Sequence, residues 1–219
     1  MRIVAVADTH MFVEDLGELP GGDLLVHAGD LLRVGTLDEL EQAAPWLRDQ
    51  PHPHKIFVAG NHDGCFEHHR ERAVELLGPS VVYLQDSGAE VAGLSVYGSP
   101  WQPAYNGWAF NLERGASLRA YWDRIPAGLD LLITHGPPRG YGDDHPYPER
   151  VGCVDLMGAV RRARPRLHVF GHIHNDGGCW RDGDVTLANV TTWECERGAS
   201  VFDVTPEGIV PVVIPPKGE

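Results

Sequence analysis

Five short stretches carry side chains able to ligate metal or move protons: Asp8-Thr9-His10, Gly29-Asp30, Gly60-Asn61-His62-Asp63, Thr134-His135-Gly136 and Gly171-His172-Ile173-His174. Asp8 and His10 are two apart, so on an extended segment both point to one side; His172 and His174 repeat that spacing. Asp8, His10, Asp30, Asn61, His135, His172 and His174 together supply two carboxylates, one amide oxygen and four imidazoles. Seven donors exceed what one tetrahedral zinc takes. They suit two divalent ions sharing a bridging carboxylate. Hard oxygen with borderline nitrogen, and no thiolate, favours Mn²⁺, with Fe, Zn²⁺ or Co²⁺ as alternatives, over copper or iron–sulfur. Two such ions roughly 3.5–4 Å apart can clamp a phosphate and generate hydroxide at neutral pH.

Something must hold these residues together. Each cluster closes a short apolar run, at residues 3–7, 24–28, 56–59, 129–134 and 167–170. Runs of this kind read as buried strands. In an open α/β sheet, ligands bind outside the carboxyl ends of the strands, so distant residues can converge. Helices are predicted between the strands. Thr36, with Glu39 as capping-box partner, opens one that runs through Arg48. Others span 66–77, stopped by Gly78-Pro79, then 116–124 and 153–164. Two β regions complete the pattern. One pairs 81–84 with 90–97 around a turn at Asp86-Ser87-Gly88; the other is a C-terminal meander of 185–190, 200–204 and 209–214. The expectation is an α/β sandwich of two packed sheets covered by helices, in a single domain over 1–219.

Charge narrows the ligand. The chain has 18 Lys+Arg against 31 Asp+Glu, a formal net charge of −13. An acid excess excludes sequence-independent binding to long nucleic acid but leaves room for a small anion where metal ions supply positive charge. Hydrophobic residues at 42% and charged residues at 22% are ordinary globular usage. No apolar run approaches the ~18 residues of a membrane span, and the first residues read as a strand rather than a secretory signal. Cys65, Cys153, Cys179 and Cys195 form no C-x-x-C pair and read as free thiols, so a cytoplasmic protein is expected.

Taken in order, D-x-H, G-D, G-N-H-D, T-H-G and G-H-x-H resemble the calcineurin-like metallophosphoesterase superfamily. Tyr97-Gly98-Ser99-Pro100-Trp101-Gln102-Pro103, Trp108-Ala109-Phe110-Asn111 and the stretch 168–174 resemble its MPPED-like branch of small cyclic-nucleotide phosphodiesterases. The resemblance implies a four-layer α/β/β/α sandwich of two mixed sheets. It implies a binuclear metal-dependent hydrolase of phosphate esters: a phosphodiesterase on small substrates such as cyclic nucleotides, with a metal-bridging hydroxide as nucleophile. The first metal would take Asp8, His10, Asp30 and His174; the second, Asp30, Asn61, His135 and His172. His62 would protonate the leaving oxygen, a role suited to imidazole near neutral pH. Asp63 would orient a neighbour, and Asn61 would also touch the phosphate.

Departures sharpen the class. Arg33 and Ala59 stand where the protein Ser/Thr phosphatase branch has Asp and Arg, so a phosphoprotein grip is missing. A phosphomonoesterase or broad phosphatase is the rival reading, and a non-catalytic scaffold of the same fold the third. In the loop 101–110, Trp101 and Phe110 are candidate base-stacking walls; the competing reading is a loop held down by its own apolar side chains. His52, His54, His68, His69 and His145 are assigned no role, and His27 and His168 are read as satisfied structural histidines. The run Arg161-Arg162-Ala163-Arg164-Pro165-Arg166 is read as cations at a helix C-terminus rather than a nucleic-acid patch.

Overall fold

The computed structural model describes residues 1–146 and 150–216. Its strands are β1 Arg2–Val6, β2 Leu24–His27, β3 His54–Phe57, β4 Val82–Tyr83, β5 Ser87–Val91, β6 Leu94–Ser99, β7 Gln102–Pro103 and β8 Asn111–Leu112. They continue with β9 Leu131–Thr134, β10 Leu167–Phe170, β11 Gly178–Asp182, β12 Val185–Asn189, β13 Ser200–Thr205 and β14 Gly208–Val213. The helices are α1 Leu37–Asp49, α2 Cys65–His68, α3 Arg70–Leu77, α4 Ala116–Trp122 and α5 Val154–Ala163. One sheet has the order β14-β13-β1-β2-β3-β4 and the other β11-β12-β10-β9-β6-β5, with β7-β8 as a small separate pair.

Both large sheets are mixed. β1, β2, β3 and β4 run parallel, and β13 and β14 complete that sheet antiparallel. In the second sheet β6, β9, β10 and β12 are parallel and the edge strands β5 and β11 antiparallel. Strand parity explains the continuous apolar runs. Val4 and Val6 pack outward with Leu40, Leu47 and Leu77 of α1 and α3, while Ile3, Ala5 and Ala7 face the other sheet's Leu131, Ile133 and Val169. On the far side, Leu132 and Phe170 pack against Leu118, Trp122, Leu156 and Val160 of α4 and α5. Three apolar layers therefore separate four layers of structure, α/β/β/α.

Several expected boundaries move. The helix predicted over 66–77 is two, because His69 leaves helical geometry at φ −138°. Ser87 and Gly88 lie in β5 rather than in a turn. The hairpin turns at Ala92-Gly93, both at positive φ (53° and 78°), as a tight hairpin turn requires. Strand β4 stays in the first sheet while β5 begins the second. The C-terminal meander is likewise divided: β12 belongs to the second sheet, β13 and β14 to the first. The crossing holds three consecutive left-handed residues, Trp193, Glu194 and Cys195. The four cysteines are free thiols, and no helix among the described residues is long and apolar enough to cross a membrane.

Candidate metal centre and cavity

The exits of β1, β2 and β3 from one sheet meet those of β9 and β10 from the other. Three groups of potential ligand atoms gather there, each within 4.8 Å of one another: Asp8, His10 and His174; His10, Asp30 and His62; and Asp30, His135 and His172. Asn61 joins the third, its Oδ1 lying 3.0 Å from His135 Nε2. The backbone is bent sharply to achieve this. Asp8, His10, Asp30 and His172 all sit at positive φ, between 45° and 73°, a strained conformation that concentrates at functional sites. Gly29, at φ +100°, and Gly60 pack so closely that a Cβ on Gly29 would collide with His135 and one on Gly60 with the Asp30 carboxylate.

Hydrogen bonds decide which imidazole nitrogen is offered. His10 donates Nδ1–H to the Leu32 carbonyl at 3.2 Å, and His135 donates Nδ1–H to Ala28 at 3.0 Å. Each therefore turns Nε2 inward, as a metal-ligating histidine does when its other nitrogen is held by a carbonyl. Asp30 Oδ1 accepts the His62 backbone N–H at 2.7 Å, while Oδ2 lies 3.2 Å from His135 Nε2 and 3.8 Å from His10 Nε2. The Asp8 carboxylate accepts the His172 N–H at 2.9 Å, tying the two sheets together.

Two carboxylates buried this deeply demand positive charge. Burial works to raise the Asp30 pKa, but the charge of His135, with those of His10 and His62, carries it well below the usual carboxylate range. Conversely, burial works against charge on His135, and Asp30, then Asp8, overcome it, raising its pKa to about 9. His172 is pushed down to about 3, by burial and then by His135, and is neutral, as a ligand must be. The donor set fits divalent cations, which would supply the charge that a proton on His135 supplies otherwise.

Asp63 lies beneath this site, fully buried. Its carboxylate accepts backbone N–H groups of Gly60 (2.7 Å), Asp30 (2.8 Å) and Leu32 (2.9 Å), with Leu31 further off at 3.4 Å. It fixes the loop that carries Asp30 to the loop that carries Asn61 and His62. Burial, and then the Asp30 charge, raise its pKa. Asp63 thus braces two loops against each other and is not among the residues that line the cavity.

A matching device appears in each sheet. Thr9 Oγ1 hydrogen-bonds His27 Nε2 at 3.0 Å, and Thr134 Oγ1 hydrogen-bonds His168 Nε2 at 2.9 Å. These threonines precede His10 and His135 directly, so a buried imidazole on the neighbouring strand steadies each strand exit. The two histidines are only half satisfied, since His27 Nδ1 and His168 Nδ1 have no hydrogen-bond partner among the described residues. Burial pushes both to about 3.

The site opens into a cavity of about 410 Å³ lined by Asp30, Asn61, His62, His172 and His174 on the polar side. Tyr105, Trp108, Pro103, Pro137, Val151 and Ile173 supply apolar lining, and Arg114 and His145 also line the cavity. Trp101 and Phe110 are elsewhere. Phe110 is fully buried and meets Trp101 edge-on at 5.5 Å, while Trp101 Nε1 donates to Asp86. Their rings anchor the loop, and the aromatic side chains of this loop that line the cavity are Tyr105 and Trp108. His145, assigned no role from sequence, borders the cavity. Position in a loop said nothing of where that loop folds back. Arg161, Arg162, Arg164 and Arg166 each pair with an aspartate, Asp182, Asp123, Asp184 and Asp130, so acidic neighbours offset the positive charge of that run.

The model of the calcineurin-like phosphoesterase family matches residues 1–176. Metallophosphoesterase domain-containing protein 1 of Homo sapiens is 43% identical over 216 residues, covering 87% of this chain. The match takes in 65% of that relative, so this chain spans just under two thirds of its length. Among solved structures, a protein of Thermus thermophilus superposes with a TM-score of 0.69 at 14% identity, over 96% of this chain and 97% of its own. An archaeal phosphodiesterase does so with a TM-score of 0.55 at 14% identity, over 98% and 100%. At such identities the likeness is one of fold. The family match, extending from β1 past the last candidate ligand at His174, decides the matter: this chain belongs to the calcineurin-like phosphoesterase family.

Proposed function

We propose that the protein is a binuclear hydrolase of small phosphate esters, with phosphodiesters, cyclic nucleotides among them, as the preferred class and Mn²⁺ as the favoured ion. One observation carries the two-metal reading. Asp30 Oδ2 lies between His135 Nε2 at 3.2 Å and His10 Nε2 at 3.8 Å, so one carboxylate serves two groups of donors. Asp8, His10, Asp30 and His174 would hold one ion; Asp30, Asn61, His135 and His172 the other. Ions bound there would withdraw charge from the phosphate and make water a competent nucleophile near neutral pH.

The chain's own residues supply the rest. His62 donates Nδ1–H to the Arg33 carbonyl at 2.6 Å, which turns Nε2 toward the cavity. As phosphorus gains the incoming oxygen, the bond to the leaving oxygen breaks with its electron pair. A protonated His62 Nε2 delivers the proton that neutralises it. Asn61 borders the same space and would donate to a phosphate oxygen. The cavity's apolar side favours an ester whose leaving group carries a ring, and its size favours a small molecule over a polymer.

The test is turnover by protein with verified Mn²⁺ content. Bis(p-nitrophenyl) phosphate and a cyclic nucleotide should be hydrolysed faster than p-nitrophenyl phosphate. A faster monoester would move the assignment to a phosphomonoesterase, and no turnover of any ester by metal-replete protein would remove the enzyme reading.

A further inference from the structure

The aromatic ring nearest the proposed proton donor belongs to the cavity loop. The Trp108 and His62 ring centroids are 4.0 Å apart with an interplanar angle of 33°, a close but tilted contact. His10 closes a second side edge-on at 4.7 Å, and the Arg33 carbonyl holds Nδ1. Trp108 is not free to drift. The next residue, Ala109, donates its N–H to the Asn61 carbonyl at 3.2 Å, and Phe110 donates its N–H to the Glu67 carboxylate at 2.8 Å. Glu67 lies on α2, a turn beyond His62 in the chain. Gln102 braces the same loop by donating to the Ala109 carbonyl, and the fully buried Phe110 ring anchors it. The loop is therefore clamped to the segment that carries His62, with Trp108 laid across its imidazole.

We infer that Trp108 is a positioning residue for His62: its indole, clamped through Ala109–Asn61 and Phe110–Glu67, holds the His62 ring so that Nε2 faces the leaving oxygen of a bound phosphate ester. The inference rests on the phosphoesterase reading for its chemistry, but the clamp is a property of this chain alone. A ring held in one plane spends more of its time aligned for proton delivery, and misplacement by a fraction of its width is costly.

The consequence depends on the leaving group. Phenol needs the proton to depart; p-nitrophenol departs readily without it. For a series of methyl aryl phosphates, Trp108→Ala should lower kcat by about 10-fold or more with phenol and by under about 3-fold with p-nitrophenol, with KM little changed. Trp108→Phe, which keeps a flat ring, should recover most of the loss. A rise in KM of equal size across the series, with kcat unchanged, would make Trp108 a substrate wall and overturn the inference.

A second measurement needs no turnover. In long-range ¹H–¹⁵N spectra of the zinc-loaded protein, the His62 ring protons should be shifted upfield by the indole, with a proton on Nδ1 whenever the ring is neutral. In Trp108→Ala the upfield shift should vanish and the His62 ring signals should broaden or split as the ring samples more than one orientation. If the His62 ring signals stay sharp and single in Trp108→Ala, positioning fails whatever the kinetics. If the wild type hydrolyses no ester while the spectra change as expected, the phosphoesterase reading fails and the clamp stands.

Discussion

His10 Nε2 and His174 Nε2 face each other at 3.3 Å, one from each sheet. His10 has its other nitrogen committed to the Leu32 carbonyl, so the pair is aimed at a common point, with the Asp8 carboxylate 3.9 Å from His174. Replacing His174 with Ala should weaken divalent-ion binding by about 10–100-fold or more. Isothermal titration with Mn²⁺ measures it; an unchanged affinity and stoichiometry would take His174 out of the centre.

Asp63 concentrates more backbone donors on one carboxylate than any other buried acid near the centre. Asp63→Ala strands the N–H groups of Gly60, Asp30 and Leu32 in a site without water access. Leaving that many buried donors unpaired should reduce unfolding free energy by about 3–5 kcal/mol. Urea denaturation reads it directly. A loss under about 1 kcal/mol would mean that the two loops do not depend on Asp63.

His168 gives a pH signature. Burial alone lowers its pKa to about 3 in the folded protein, against about 6.5 in an unfolded chain. Between those values the unfolded state binds the extra proton, so stability rises with pH. The contribution is whole above about pH 6.5 and is lost as pH falls toward 3, at up to about 1.4 kcal/mol per pH unit. Stability measured at a series of pH values below 6.5 should fall less steeply in His168→Gln, by close to one proton's worth. Identical slopes would show that His168 is charged when folded.

Trp108 and Phe110 separate packing from chemistry within one loop. Phe110→Ala empties a fully buried site and should cost about 3–5 kcal/mol. Trp108 is 38% exposed, and Trp108→Ala should cost under about 1 kcal/mol. Thermal melts of the two variants make the comparison; equal losses would place Trp108 in the core.

What could be read from the chain follows from what its strands bury. β1, β2, β3, β9 and β10 are covered on both faces, so they appear as unbroken apolar runs, and the first Asp, Asn or His after each marks the exit. The chosen ring of the aromatic loop was not legible. Trp101, Tyr105, Trp108 and Phe110 share one Pro- and Gly-rich stretch, and only packing tells which are anchors and which face the cavity. Asp63 follows His62 directly, but that its carboxylate reaches three loop amides depends on Gly60 and Asp30 closing in space. The Arg33 carbonyl that holds His62 left no trace, since a main-chain oxygen is the same in every residue. The Ala92-Gly93 turn was hidden by an alanine at positive φ, a conformation alanine rarely adopts.

The donors are shared between the two sheets: Asp8, His10, Asp30 and Asn61 come from one, His135, His172 and His174 from the other. A chain that has formed only one sheet holds half a coordination sphere. If these residues hold an ion, its full coordination needs both sheets in place, and the bound ion would act as a rivet across the interface between them. Hydrogen exchange in the strands on either side of that interface should slow together when the ion enters, since separating the sheets then requires its release.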